Sequence, residues 1–235
     1  PLTLILGPIN QLIISEKSNQ KRSSLQVVKQ NAQKLLNLIN QLLEIARIEK
    51  GQVKLKLMKT NLTKSISYMV ELFSSLAREK DLELTFRTDF DEIICWFDKE
   101  KIDQIISNLL SNAIKNTEKG SINVDSNWVE KDKMVCIKVT DTGKGINEKD
   151  LPHIFDRFYT LGKKDAGGNA GIGIGLAFTK ELIELHKGNL KVESEEGKGT
   201  EVAIYLPVDL AMFEKDDYEI LDFKESEMIK ETDII

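Results

Sequence analysis

The sequence lacks several features that would assign it at once to a common class of protein. Its 235 residues contain no run of about 18 uncharged apolar residues, the length that a membrane-spanning helix needs. The N-terminus has no basic region ahead of its apolar residues, so no secretory signal peptide is recognisable. The two cysteines, Cys95 and Cys136, match neither a metal-binding spacing nor a disulfide framework, which favours a reducing, cytosolic compartment.

Glycine and proline are almost absent from the first half of the chain. No proline occurs between Pro8 and Pro152, and no glycine occurs between Gly7 and Gly51. Of the 14 glycines, 11 lie between Gly143 and Gly199. This distribution favours helices in the first part of the chain, and tight turns with backbone-mediated contacts in the second.

Negative charge is concentrated at the C-terminus. The chain carries 33 Lys and Arg against 38 Asp and Glu, a net charge of −5, which argues against a general nucleic-acid-binding protein. Residues 209–235 hold ten acidic and three basic residues, which leaves residues 1–208 near +2. We expect 209–235 to be a solvated acidic tail, linker or weak helix outside the core, leading toward a possible receiver domain.

Apolar periodicity predicts a helical hairpin over residues 1–50. An early repeat of apolar residues precedes the polar, turn-competent stretch SEKSNQKRSS, and a longer heptad row follows it. The early repeat consists of Leu2, Ile5, Ile9 and Leu12; the heptad row consists of Leu25, Val28, Ala32, Leu35, Ile39, Leu42 and Ala46. Two helices cannot form a four-helix bundle alone, so we expect a homodimer through residues 1–50. The alternative is a hairpin that packs on the rest of its own chain.

The pattern changes after Gly51. We expect a linker over 51–60, which contains the strand-like VKLKLM, and then an α+β domain over 61–208. Helical patterns cover about 61–80, 98–116 and 173–186, with a short helix after Asn147, and strand patterns lie between them. Strands and helices in this irregular order predict a two-layer α/β sandwich.

Four short motifs in this domain have residue types suited to nucleotide chemistry. In NLLSNAIKNT, Asn108, Asn112 and Lys115 lie near one helix face, where amide oxygens suit Mg²⁺ and an ammonium suits phosphate. In DTGKGI, Asp141 ends a strand and offers an acceptor to an exocyclic amine such as that of adenine. The glycine-rich GGNAGIGIGLA precedes a helix, whose N-terminus favours phosphate, and GKGT precedes the last strand. Each motif by itself is also compatible with an ordinary helix face, turn or flexible loop.

The motifs together resemble the ATP-binding core of sensor histidine kinases, in the GHKL superfamily. NLLSNAIKNT resembles the N box, DTGKGI the G1 box, FDRFY the F box, GIGIGLA the G2 box and GKGT the G3 box, in the family's order. The resemblance covers residues 1 to about 208. It implies the GHKL, or Bergerat-type, ATP-binding fold and a dimer of hairpins.

The resemblance implies a role for particular residues toward Mg and ATP. Asn112 would be the Mg ligand, with Asn108 and Lys115 at the phosphates, and Asp141 would accept from the adenine amine. The remaining implied positions shape the adenine pocket (Gly143, Gly145, Ile146 and Thr200), belong to a mobile ATP lid (Tyr159 and Leu161–Asn169), or end that lid near the phosphates (Gly171, Gly173, Gly175 and Leu176).

Three departures from the family pattern stand out. Asn116 replaces the usual Tyr or Phe, and Thr160 stands where many members carry Arg, for which Lys163 or Lys164 would substitute. PLTLILGPINQLI resembles the segment that directly follows the H box, so the phosphoacceptor histidine would precede Pro1 and residues 1–235 alone would not autophosphorylate. Neither His153 nor His186 replaces it: we expect a surface or packing role for His153 and contacts with the last carbonyls of a helix for His186.

The implied activity is transfer of the γ-phosphate of ATP to that histidine and then to a response-regulator aspartate. The implied setting is the cytoplasmic part of an inner-membrane-anchored, hybrid-type sensor. Three alternatives remain: a nucleotide-binding dimerising module without phosphotransfer, a gyrase- or mismatch-repair-like ATPase, and a serine kinase of the anti-sigma type. The second requires a catalytic carboxylate where this chain has Asn108, and the heptad hairpin disfavours the third.

Overall fold

The computed structural model of the chain describes residues 2–129, 133–161 and 172–221. The chain divides into two compact units, Pro1–Gln52 and Val53–Ile235. The first unit consists of helices α1 (Leu2–Ser15) and α2 (Asn19–Glu49), which contact each other. The helical hairpin that the apolar periodicity predicts is therefore confirmed.

The connection between the two helices is shorter than expected. Only residues 16–18 separate α1 from α2, so most of the polar stretch SEKSNQKRSS belongs to the first turns of α2. Polar residues at the start of a helix are compatible with it because that turn is solvated. Arg22 spans the connection by donating from Nε to the carbonyl oxygen of Ile13, at 3.2 Å. Within the described ranges, neither helix is long and apolar enough to cross a membrane.

The second unit contains a five-stranded sheet with helices against one face. Its strands are β2 (Leu82–Thr88), β4 (Gly120–Val129), β5 (Met134–Asp141), β7 (Gly199–Pro207) and β6 (Asn189–Glu195), in that spatial order. The β2–β4 pair is parallel and the other pairs are antiparallel. Helices α3 (Leu62–Glu79), α4 (Lys99–Asn116) and α5 (Gly175–Leu185) contact the sheet through β2, β5 and β6 respectively.

Apolar and polar side chains alternate along the strands, so one face of the sheet is apolar and buried. Ile122 and Val124 of β4, Ile137 of β5 and Ile204 of β7 are buried, while the residues between them on β4 are half-buried and mostly polar. The amphipathic helices cover the apolar face, so the unit has two layers. The predicted α+β sandwich is confirmed, with Asn61 and Asp98 capping α3 and α4 through their side-chain oxygens.

A second, three-stranded sheet corrects two expectations from the sequence. Residues 51–60 are not simply a linker, because β1 (Leu55–Asn61) is the central strand of this sheet, with β3 (Ile94–Phe97) antiparallel on one side. On the other side, β8 (Tyr218–Ile220) pairs in parallel with β1. The linker expectation was wrong because Leu55 and Leu57 alternate with lysines and bury their side chains completely.

The start of the acidic tail is part of the fold. A 3-10 helix (Leu210–Met212) precedes Phe213, which is buried against Leu55 and Leu57, and Tyr218 packs on the same cluster. The expectation of a solvated tail was therefore wrong for 209–221, since Phe213 is buried and Leu210, Asp217 and Tyr218 are half-buried, while the other carboxylates are exposed. Residues 222–235 lie outside the described residues.

Candidate nucleotide-binding site

Helix α4 presents the three polar residues that the first motif singled out. Asp98 fixes the start of α4: its Oδ1 accepts from the N–H of Lys101 at 3.2 Å, and its Oδ2 accepts from the N–H of Lys56 at 2.9 Å. The apolar side of α4 lies in the core through residues such as Ile105, Ile106 and Leu110. Asn108 and Asn112 are half-buried and Lys115 is exposed, as expected for the boundary of a helix face.

The side chain of Asn108 joins α4 to α5. Its Nδ2 donates to the carbonyl oxygen of Gly175 at 2.5 Å and to the hydroxyl of Thr179 at 2.9 Å. A Cβ atom on Gly175 would lie 2.7 Å from Oδ1 of Asn108, so glycine permits this close approach. The N-box and G2-box residues, which are 67 positions apart in sequence, therefore meet in the structure.

Asn112 and Asn116 differ in how their side chains are used. Nδ2 of Asn116 donates to the backbone oxygen of Asn112 at 2.8 Å, so this side chain folds back on its own helix. Within the part of the chain that the structure describes, the side-chain amide of Asn112 has no hydrogen-bond partner. Asn112 is thus available as a ligand, whereas Asn116 supplies no ring for stacking.

Asp141 ends β5 and is the buried carboxylate of the site. It is 9% exposed, and its Oδ1 accepts from the N–H of Gly143 at 2.8 Å. Burial raises the pKa of this carboxyl, while the backbone N–H groups of Gly143 and Thr200 act in the opposite direction. Thr200 is the register partner of Asp141 on β7, so the second and last of the four motifs are adjacent.

The loop after Asp141 requires glycine at two positions. A Cβ on Gly143 would lie 2.4 Å from the carbonyl oxygen of Asn116. Gly145 has φ of +67°, and a Cβ there would lie 2.0 Å from the carbonyl oxygen of Glu195. Ile146 donates its N–H to the hydroxyl of Ser194 at 2.8 Å. The loop therefore packs against α4 and β6 through its backbone.

Ser194 is a site residue that the sequence did not indicate. Its hydroxyl donates to the carbonyl oxygen of Gly199 at 2.8 Å and lies 2.9 Å from Oγ1 of Thr200. The only signal in the sequence is an uncharged hydroxyl between acidic residues of a strand, which is too common to point to a site.

Backbone contacts join the F-box segment to the start of the G2 box. The N–H of Phe158 donates to the carbonyl oxygen of Gly173 at 2.8 Å, and Gly173 has φ of +74°. The hydroxyl of Tyr159 donates to Oδ1 of Asp150 at 2.5 Å. Leu161 and Leu176 are half-buried at the two sides of this junction. The predicted lid residues 162–169, including Lys163 and Lys164, and also Gly171, lie outside the described residues.

The two histidines have the roles expected from the sequence. Nδ1 of His153 is 2.8 Å from Oδ2 of Asp156 on the surface, beside a short 3-10 helix (Leu151–His153). This 3-10 turn is the short helix expected after Asn147, although it begins only at Leu151, and the side chain of Asn147 accepts from the N–H of Lys149 at 3.1 Å. His186 follows α5 directly, and its Nδ1 is 2.8 Å from the carbonyl oxygen of Leu182.

The donor set fits a nucleotide with Mg²⁺ better than a metal held by protein alone. Among the described residues no group of three His, Cys, Asp or Glu side chains is placed to hold a metal ion. A free amide oxygen at Asn112 leaves most coordination positions to phosphate and water, which is how Mg²⁺ is usually bound. The tight glycine approaches at residues 143, 145 and 175 bring backbone close to the same region.

Comparisons with known proteins point in the same direction. The family model "Histidine kinase-, DNA gyrase B-, and HSP90-like ATPase" matches residues 97–210. Histidine kinase P4 of Formosa agariphila is 33% identical over 100% of this chain and 17% of its own length. The autoinducer 2 sensor kinase/phosphatase LuxQ of Vibrio cholerae is 34% identical over 89% of this chain and 25% of its own length.

A solved structure shares the fold. The crystal structure of full-length ShkA in complex with AMPPNP superposes with a TM-score of 0.76 at 27% identity, over 88% of this chain and 43% of that one. The catalytic domain of histidine kinase ThkA superposes with a TM-score of 0.58 at 27% identity, over 66% of this chain. The chain thus spans a quarter or less of the two curated relatives above.

Proposed function

Residues 97–210 belong to the histidine kinase-, DNA gyrase B- and HSP90-like ATPase family, and on this premise we propose that the chain is the core of a sensor histidine kinase. In this proposal it binds Mg·ATP, and the γ-phosphate passes to a histidine that precedes Pro1 in the full protein. A response-regulator aspartate is the next acceptor. The ATP requirement assigns the domain to the cytoplasmic side of a membrane-anchored sensor.

The observation that carries the nucleotide-binding part of the proposal is the environment of Asp141. Its Oδ1 accepts from the N–H of Gly143 at 2.8 Å, and the N–H of Thr200 also interacts with this buried carboxyl. A carboxylate has about four acceptor positions, so two backbone N–H groups leave capacity for a ligand that brings an N–H, as the exocyclic amine of adenine does. Gly143 and Thr200 lie beside Asp141, Gly145 and Ile146 follow in the loop that packs on β6, and all four would shape the pocket for the base.

The phosphates would lie toward α4 and the start of α5. We assign Asn112 as the Mg ligand, Asn108 and Lys115 as phosphate-side residues, and Tyr159, Gly173, Gly175 and Leu176 as the ends of the lid. Bound Mg²⁺ would neutralise phosphate charge at the oxygen of Asn112. An amide cannot abstract a proton from water, so the N-box helix would hold the nucleotide without activating water for hydrolysis. This favours transfer over the gyrase-like alternative.

Helix α2 carries an apolar surface that supports the proposed homodimer. Val28, Leu35 and Ile39 of the heptad row, together with Leu43, are between 39% and 54% exposed. Several apolar side chains on one helix, left in water, favour burial against a second copy of the hairpin. Leu35→Glu would then convert a dimer into a monomer in analytical ultracentrifugation, whereas Gln33→Glu, an exposed polar site on the same helix, would not.

The proposal is tested first by measuring nucleotide binding and then by measuring phosphate transfer. Calorimetry should show Mg·ATP binding to residues 1–235, and Asp141→Asn should weaken it. The chain extended by its natural upstream residues should then incorporate an acid-labile, base-stable phosphate from γ-labelled ATP. Nucleotide binding with no such phosphate in the extended protein would favour the regulatory-module alternative. Absence of binding by the folded chain would refute the proposal.

A further inference from the structure

We propose that Thr179, on α5, is a positioning residue that sets the orientation of the Asn108 side chain at the phosphate side of the site. The inference rests on the proposed function, because Asn108 faces a nucleotide only if the domain binds one. No sequence motif singled out Thr179, which lies four residues after Gly175, the first residue of α5.

The geometry around Asn108 allows only one amide orientation. Both N–H bonds of its Nδ2 are used, one by the carbonyl oxygen of Gly175 at 2.5 Å and one by the hydroxyl of Thr179 at 2.9 Å. A backbone carbonyl only accepts, so Nδ2 and not Oδ1 must face the carbonyl oxygen of Gly175. Thr179 is 1% exposed, so water does not compete for its hydroxyl.

This contact joins two parts of the site that must act together. Asn108 belongs to the N-box face of α4, and Gly175 begins the helix that follows the predicted lid. With the hydroxyl removed, one N–H of Asn108 loses its acceptor in a nearly dry environment, and only the carbonyl oxygen of Gly175 still holds the amide. We therefore infer that Thr179 holds the Asn108 side chain in one orientation at the phosphate side of the site.

The test replaces the hydroxyl without changing the shape of the side chain. Thr179→Val in the full chain should weaken Mg·ATP binding by roughly 3- to 10-fold, the effect of one lost neutral hydrogen bond. Thr179→Ser should restore the affinity. Thr63→Val is the matched control, because Thr63 is also buried in a helix and its hydroxyl has no partner among the described residues.

A second ligand separates positioning from a general effect on the fold. Adenosine lacks phosphates, so its affinity, measured by titration of backbone amide shifts, should be the same in wild type and Thr179→Val. Equal weakening of adenosine and Mg·ATP would mean that Thr179 acts through the fold alone and would overturn the inference. Unchanged Mg·ATP affinity in Thr179→Val would also overturn it, and the proposed function would stand. A wild-type chain that binds no nucleotide would refute both.

Discussion

The N–H of Ile146 donates a 2.8 Å hydrogen bond to the hydroxyl of Ser194, which joins the loop after β5 to strand β6. The same hydroxyl donates to the carbonyl oxygen of Gly199 at 2.8 Å, so the nearby hydroxyl of Thr200 must be the donor in their 2.9 Å contact. One oxygen thus connects three segments, namely the loop after β5 and the neighbouring strands β6 and β7. The shape of the proposed adenine pocket depends on these contacts between segments.

A comparison of Gly145 with Gly197 measures how much stability depends on the absence of a side chain in the loop after β5. Both have positive φ, but a Cβ on Gly145 would lie 2.0 Å from the carbonyl oxygen of Glu195, whereas a Cβ on Gly197 meets nothing within 4 Å. We expect Gly197→Ala to cost about 1 kcal/mol of unfolding free energy and Gly145→Ala at least about 3 kcal/mol. Urea unfolding of the two variants measures the difference, and equal losses would show that the loop has room to move.

Asp141→Asn should separate stability from binding. Because burial raises the folded-state pKa of Asp141 above 3.8, its stabilising contribution is present below pH 3.8 and is lost as pH rises through the folded-state pKa. At pH 7 the ionised carboxylate therefore opposes folding, and the neutral amide should leave the nucleotide-free protein equally or more stable. Mg·ATP affinity should fall by roughly 10- to 100-fold, since a charged hydrogen bond is lost.

Thermal unfolding of Asp141→Asn with and without Mg·ATP measures both effects. The nucleotide should raise the melting temperature of the wild type clearly and that of the variant little. A variant that is less stable than the wild type without nucleotide would contradict the account of this carboxylate, because its role would then be structural.

Phe213→Ala tests whether the C-terminal segment stabilises the domain. Phe213 is 7% exposed and packs with Leu55 and Leu57, so its truncation should cost about 3 kcal/mol in urea unfolding. The adjacent Met212 is 45% exposed, and Met212→Ala should change the stability by no more than about 0.5 kcal/mol. A Phe213 variant as stable as the Met212 variant would restore the expectation of a solvated tail.

The buried His186 predicts a loss of stability in mild acid. Burial lowers the folded-state pKa of His186 below 6.5, with Lys101 acting in the same direction and Asp98 and the Leu182 carbonyl in the opposite one. The neutral imidazole therefore contributes stability above pH 6.5, which is lost as pH falls from 6.5 toward the folded-state pKa.

The variant His186→Gln keeps a side-chain N–H for Leu182 and removes the titration. Its unfolding free energy should depend less on pH than that of the wild type between pH 6.5 and 5. His153→Gln, at an exposed position, is the control and should follow the wild type. If the unfolding free energies of the wild type and His186→Gln change with pH in parallel, the imidazole of His186 is not the group that causes the loss of stability in acid.

Local patterns were sufficient for most helices and strands. The capping residues Asn61 and Asp98 and the alternation in β4 and β5 act over a few residues, so they are readable without the fold. The acidic segment after residue 208 was expected to be fully solvated because its net charge is strongly negative. Net charge reports only the side chains that face water and not the apolar side chains that the same segment buries. What covers the apolar side, here β1 at residues 55–57, is distant in sequence.

The sequence by itself determined the helical hairpin, the α+β class and the motifs that align with the ATPase family, because periodicity, caps and residue order are local properties. Three contacts are visible only in the folded chain: Thr179 holds Asn108, Ser194 joins the loop after β5 to β6, and Phe213 covers β1. These contacts join residues between 48 and 158 positions apart, and their partners are chosen by how the layers pack. Local propensity contains no information about such pairs.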